Sequence, residues 1–208
     1  MHSNRKGFFL ELLQKADLNI SDLVIEKHST NITVEMIRTL AKRGIPAHEL
    51  RELQEQKEIH RYSMDFIHQT EAHGPVPLNV REESAGTQRF FGLGGVLREL
   101  IEHEGFLCID ELETSLHPEL TSFFLQTFLM NTTNGSQLLL TTHNQFLMDL
   151  DVIQDEMVWF CEKSDNGESA YYNLSDFHLH KNIVRSNVYR AGKLGALPRV
   201  GNPLLNEP

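Results

Sequence analysis

The chain has 208 residues, 40% of them hydrophobic, and a formal net charge of -10 at pH 7. That length suits one domain, or one lobe of a larger one, with enough apolar content to bury a core. The acidic balance argues against the chain itself wrapping a nucleic-acid backbone, which needs clustered Lys and Arg, and the sequence has no apolar run long enough to span a membrane.

The start, Met1-His-Ser-Asn-Arg-Lys-Gly7, leads into a short apolar patch and then Glu11. This is not a secretory leader, and a cytoplasmic setting is the simplest expectation. Residues 7–16 place Phe8, Phe9, Leu12, Leu13 and Ala16 on one helical face. Leu23-Val24-Ile25 predicts a strand, and helices are expected over 34–43 and 46–58, with Pro46 suited to a first turn. The segment 59–69 alternates and leads through Gly74 to Val76-Pro-Leu-Asn-Val80, which predicts a hairpin whose Pro77 marks an edge strand.

From Arg81 a polar turn, Glu82-Glu-Ser-Ala-Gly-Thr87, opens an apolar-periodic helix through Phe90, Leu93, Leu97, Leu100 and Ile101. Free amides at such a helix start attract anions, and glycine lets a phosphate approach closely. Then comes Phe106-Leu-Cys-Ile-Asp-Glu111, an apolar strand ending in two carboxylates, and after a predicted helix Leu138-Leu-Leu-Thr-Thr-His143, a strand ending in histidine. Together these fit a nucleotide-hydrolysis site: Asp110 to hold a magnesium-bound water, Glu111 to orient the attacking water, His143 to reach the terminal phosphate.

Further on, Met157-Val-Trp-Phe-Cys161 and Ala170-Tyr-Tyr-Asn-Leu174 flank Ser164-Asp-Asn-Gly-Glu168, a second hairpin. Cys108 and Cys161 sit in apolar strand-like runs, where cysteine acts as a small hydrophobe, and no disulfide is expected. His178 and His180 have the spacing of one strand face, but nothing nearby completes a metal's four ligands. The end from Gly201 to Pro208 should be loose.

The four motifs in order resemble the C-terminal half of an ABC-type ATPase head, of the AAA-like group found in bacterial abortive-infection and anti-phage ATPases. Ser84-Ala-Gly-Thr87 resembles the signature loop, Ile109-Asp-Glu111 the Walker B motif, Thr114-Ser-Leu-His-Pro118 the D-loop and Thr141-Thr-His143 the switch-histidine loop. Tyr189-Arg-Ala-Gly192 through Gly195-Ala-Leu-Pro198 resembles the group's tail. The implied fold is α/β: part of a P-loop NTPase sheet flanked by helices, with β-hairpins. The implied organisation is a single lobe over 1–208, divided into an N-terminal helix, strand and helical insert (1–70), a motif core (71–150) and a C-terminal hairpin and tail (151–208).

The resemblance implies ATP and Mg2+ as cofactors, with Ser84, Gly86, Thr87 and His117 contacting nucleotide, Asp110 the metal, and Glu111 and His143 catalytic. His117 stands where the commonest D-loop has aspartate, and could equally cap the helix that starts at Pro118. Arg89 could steady a carboxylate or a phosphate, or be a solvated helix residue.

No Gly-x-x-x-x-Gly-Lys-Ser/Thr loop occurs in the 208 residues. The expectation is therefore of a head subunit or fragment, inactive alone, whose partners are a lobe carrying that Walker A loop, a second ATPase head and an effector in phage defence or DNA maintenance, with nucleic acid met only indirectly. The rival is a non-catalytic lobe that pairs with another head; a third reading is a metal-dependent hydrolase using Asp110, Glu111 and nearby histidines directly.

Overall fold

The computed structural model describes residues 2–56, 58–180, 183–198 and 201. The chain forms two compact units, Met1–Gly95 and Val96–Pro208. The expected loose end beyond Gly201 lies outside the described residues.

In the first unit, helix α1 (His2–Lys15) precedes an antiparallel meander of β1 (Ile20–Asn31), β2 (Glu58–Thr70) and β3 (Gly74–Asn79), with β2 central. Pro77 does lie on an edge strand, where its missing N–H breaks no interior ladder. The strand predicted over 23–25 is twelve residues long: β1 pairs with β2 from Ile20 opposite His68 to Asn31 opposite Glu58. Only the near end of this ribbon is buried, through Ile20, Leu23 and Phe66. The far end leads into α2 (Val34–Lys42) and α3 (Ala47–Gln56), neither of which buries a residue. Thr33 caps α2, its hydroxyl accepting from the Met36 amide at 3.2 Å, while α3 starts one residue after Pro46.

Helix α4 (Ala85–Glu102) begins in the first unit and ends in the second. Its glycines reduce helix propensity, and Gly94 shows why one is needed: a Cβ there would lie 2.6 Å from Leu12 Cδ2 of α1. Phe91 of α4 meets Phe9 of α1 and Phe66 of β2 at ring-centre distances of 4.9 and 5.2 Å, which closes the first unit's core.

The second unit contains a parallel pair, β4 (Phe106–Ile109) and β5 (Gln137–Leu140), joined through α5 (Pro118–Asn131). A parallel pair needs such a crossover. Leu138 and Leu140 pack on a core of Leu125, Leu147 and Ile153, whereas Phe106 and Leu139 on the opposite face are 64% and 58% exposed. Cys108 shares that open face and Cys161 is also exposed, so both thiols contact solvent instead of filling a core as expected. Alternation along the strands causes this, because only one face of each two-stranded sheet is covered.

The predicted hairpin is present as β6 (Trp159–Lys163) and β7 (Ser169–Asn173). Phe160 of its inner face stacks on Tyr189 of α6 (Arg185–Arg190) and joins Leu174 and Leu194 in a second core, against which Tyr172 packs. His178 and His180 do not share a strand face. Asn173 and Asp176 form a capping box around a 3-10 turn, Leu174–Phe177, and His178 ends it in the left-handed region at φ 47°.

Candidate functional site

Strand β4 delivers Asp110 and Glu111 at its C-terminal end, and β5, parallel beside it, delivers Thr141 and His143 at the same end. In open α/β sheets that end is where ligands bind. Thr141 joins the two strands chemically: its hydroxyl donates to Asp110 Oδ1 through a very short hydrogen bond and accepts from the Glu111 amide at 2.9 Å. The ladder continues past the strands, with the Thr141 amide on the Ile109 carbonyl (2.9 Å) and the Leu112 amide on the Thr141 carbonyl (3.1 Å). Leu112 is fully buried and anchors the segment that follows the carboxylates.

Glu111 takes φ 48°, a left-handed conformation that a non-glycine residue seldom adopts, and Ser115 repeats it at φ 61°. Such backbone persists only when its surroundings enforce it, and it gathers at functional sites. The enforcement here is local. The Thr114 amide bonds the Glu111 carbonyl at 3.0 Å, the Thr114 hydroxyl donates to Glu111 Oε2 at 3.3 Å, and the Leu116 amide closes on Glu113 at 2.8 Å. The chain thus turns sharply at the strand end and leaves Asp110 and Glu111 exposed to solvent.

His143 is exposed too, and its backbone amide donates to Glu113 Oε1 at 2.6 Å. This ties the histidine loop to the loop after the carboxylates. Burial is the largest single influence on Glu113 and pushes its carboxyl up, but the His143 amide, the Thr142 hydroxyl, its own amide and the His143 ring together hold it below its ordinary value. Neither Glu113 nor Thr141 was assigned a role from the sequence. Their signal was present in their spacing, two residues after Glu111 and directly after β5, but a carboxylate and a hydroxyl at those places have many other uses.

His117 caps α5: its Nδ1 accepts from the Glu119 amide at 3.3 Å, with Pro118 in the first turn. An accepting Nδ1 leaves the ring proton on Nε2. In the first unit, Ser84 caps α4. Its hydroxyl accepts from the Thr87 amide at 3.0 Å and lies 2.8 Å from the Thr87 hydroxyl. Ser84 is exposed, Gly86 half-buried and Thr87 only 7% exposed, so of these three Ser84 presents the most surface to a ligand. Arg89, in the second turn of α4, is half-buried.

Among the described residues no group of three or more His, Cys, Asp or Glu side chains could hold a metal ion. Mg2+ does not require one, because it keeps several waters and commonly uses one or two carboxylates together with substrate phosphates. Asp110, beside the Thr141 hydroxyl at an open strand end, fits that ion when a nucleotide accompanies it.

The tail secures the segment beyond His143. Arg185 donates to the Met148 carbonyl and pairs with Asp155, each at 2.7 Å, and Asp149 Oδ1 accepts from the Ser186 amide at 3.1 Å. The Tyr172 and Tyr189 hydroxyls donate to the carbonyls of Leu194 and Ala196 at 2.8 and 2.9 Å. Both phenols are raised above their ordinary value by burial, with the neighbouring Glu162 charge adding to the effect at Tyr172.

An α/β chain whose parallel strands end together in a carboxylate pair and a histidine loop has the form of an AAA-family ATPase domain. The family model described as "AAA domain, putative AbiEii toxin, Type IV TA system" matches residues 6–149, more than half of the chain, and the chain belongs to that family. Membership implies nucleotide binding, for which Mg2+ is the usual companion. No curated protein matches the chain. Among solved structures it is similar to one from work described as "Structural biochemistry of ATP-driven dimerization and DNA stimulated activation of SMC ATPases", at 11% identity and a TM-score of 0.43 over 85% of this chain and 92% of that one.

Proposed function

We propose that this chain is the carboxylate-bearing part of an ATPase head that converts ATP and water to ADP and phosphate once a polypeptide supplies the phosphate-binding loop. The observation that carries this reading is the junction of β4 and β5, where Thr141 bonds both Asp110 and Glu111 and Glu113 holds the His143 loop beside them. Asp110 holds Mg2+ through water, and the ion, when bound, neutralises phosphate charge. Glu111 accepts a hydrogen bond from the attacking water and orients it. His143 contacts the γ-phosphate. Ser84, Gly86 and Thr87 serve the nucleotide of an opposed head, and His117 lines the contact between heads. Such positioning supplies most of the rate in phosphoryl transfer, so the chain alone is expected to bind and turn over ATP poorly.

The cycle of closing and opening would gate an effector in phage defence or DNA maintenance, in the cytoplasm. No helix among the described residues is long and apolar enough to cross a membrane.

A second reading, a non-catalytic lobe that pairs with another head, draws support from exposed apolar residues in the second unit. Phe106, Leu139, Trp159 and Tyr171 are 58–69% exposed, and parallel sheets are normally covered on both faces. One experiment separates the readings: Mg-ATP turnover by the chain alone and after mixing with a polypeptide carrying a phosphate-loop lobe. Turnover only on mixing establishes the shared head. Association without turnover establishes the non-catalytic lobe.

A further inference from the structure

The turn that opens α4 is attached to the central strand of the first unit by a part-buried contact between a histidine and a carboxyl group. His68, on β2 opposite Val76 of β3 and Ile20 of β1, places Nε2 2.5 Å from Glu83 Oε1. The side chains are 22% and 6% exposed, so the Glu83 carboxylate has left most of its water and takes this imidazole as its partner. A carboxyl group so placed holds its position, because moving away would leave a buried polar group without its partner.

Glu83 directly precedes Ser84, and its carbonyl accepts from Gln88 Nε2 at 2.8 Å. At the other end of the turn, Asn79 Nδ2 donates to Asp65 Oδ1 at 2.7 Å and to the Met64 carbonyl at 3.2 Å. The segment from Asn79 to Ser84 is therefore fastened to β2 at both ends, once by an amide and once by the His68–Glu83 pair. The β-ladder already joins β2 to its neighbours through backbone groups, and the His68 side chain bonds outside the sheet, to Glu83. What it adds is a fixed position for the residue before Ser84.

We propose that His68 is a positioning residue: through Glu83 it holds the backbone at Ser84, so that the Ser84 hydroxyl caps α4 and the turn keeps one arrangement for a phosphate. The function of the turn in this inference rests on the reading of Ser84 to Thr87 as a nucleotide contact; the clamp itself does not. Histidine suits the task because its short, flat ring reaches one carboxylate oxygen with little torsional freedom.

The test compares His68→Leu, which keeps bulk but removes the donor, with His68→Gln, which keeps a donor. Amide hydrogen exchange is read at Thr87 and Gln88, whose amides bond the Ser84 hydroxyl and carbonyl, and, as control, at His28 and Arg61, which face each other in the β1–β2 ladder. His68→Leu is expected to speed exchange in the turn by about tenfold while the ladder stays unchanged, and His68→Gln to restore most of the protection. Should His68→Leu fail to fold, His68→Asn, too short to reach Glu83, carries the same expectation. Unchanged exchange in the turn, or an equal rise in the ladder, overturns the clamp.

The second readout is Mg-ATP turnover after mixing with a phosphate-loop lobe. A fall in kcat of about tenfold at little-changed KM, rescued by His68→Gln, is expected of a group that fixes transition-state contacts. Faster exchange in the turn with unchanged kcat would leave the clamp standing and overturn its service to a nucleotide.

Discussion

Glu111 and its neighbours show how four consecutive residues can have different duties because their environments differ. Asp110 is bonded by Thr141, Glu111 is held in a left-handed turn, Leu112 is buried, and Glu113 faces the His143 amide. Glu111→Gln in the complete assembly should retain ATP binding and stop hydrolysis, whereas Asp110→Asn should weaken Mg2+-dependent binding; isothermal titration and phosphate release distinguish the two. Glu113→Ala removes the acceptor for the His143 amide and should lower stability by about 1–3 kcal/mol, read from the shift of a urea midpoint. The pH sign follows from the depressed carboxyl. Its contribution is fully present above the ordinary value of 4.5 and is lost as pH falls through the lower folded value. Midpoints of parent and Glu113→Ala should therefore differ most at neutral pH and converge in acid below 4.5; a gap that stays constant into acid would remove the charge from the account.

At the scale of elements, the tail has a structural explanation that its sequence alone did not supply. Gly195 has φ 67°, and a Cβ there would fall 2.3 Å from Tyr172 Oη and 3.1 Å from Glu162 Oε2. Gly195→Ala should push the phenol off the Leu194 carbonyl and cost about 1–3 kcal/mol, visible as a lower thermal midpoint and loosened near-ultraviolet aromatic signal. Asp149, at the end of the 3-10 turn that follows His143, bonds the first turn of α6 through the Ser186 amide. Asp149→Ala should cost about 1 kcal/mol and free the residues after His143, which hydrogen exchange at Phe146 to Leu150 would register. The same packing explains why Arg185 and α6 accompany the histidine loop: they fasten the segment that carries it.

For the whole molecule, family membership supports nucleotide binding, and the proposal that a second polypeptide supplies the phosphate loop makes the chemistry on this chain one part of a site. Mixing it with a phosphate-loop lobe should raise Mg-ATP turnover from near background by at least about a hundredfold, since phosphate positioning is worth several kcal/mol in phosphoryl transfer. Turnover by the chain alone at the mixed rate would show that the phosphates bind elsewhere on it.

Much of this was legible in the residues themselves. Alternation and apolar runs located the strand at 23–25, the hairpin that follows at 59–80, the two apolar strands and the second hairpin, and Asp110, Glu111 and His143 stood out as polar residues ending short apolar runs. That β1 joins the first hairpin in a meander and that β4 and β5 run parallel only the tertiary structure decided. The cap at His117 was equally readable from the proline after it. Tertiary structure decided what depends on contacts far apart in sequence. It joined Thr141 to Asp110 across 31 residues, Glu113 to His143 across 30, and His68 to Glu83 across 15. It also set the length of the β1–β2 ribbon, and it exposed both cysteines because one face of each small sheet is bare. Local pattern determines which segments become strands and helices; which polar side chain receives which partner is settled only when the chain brings those segments together.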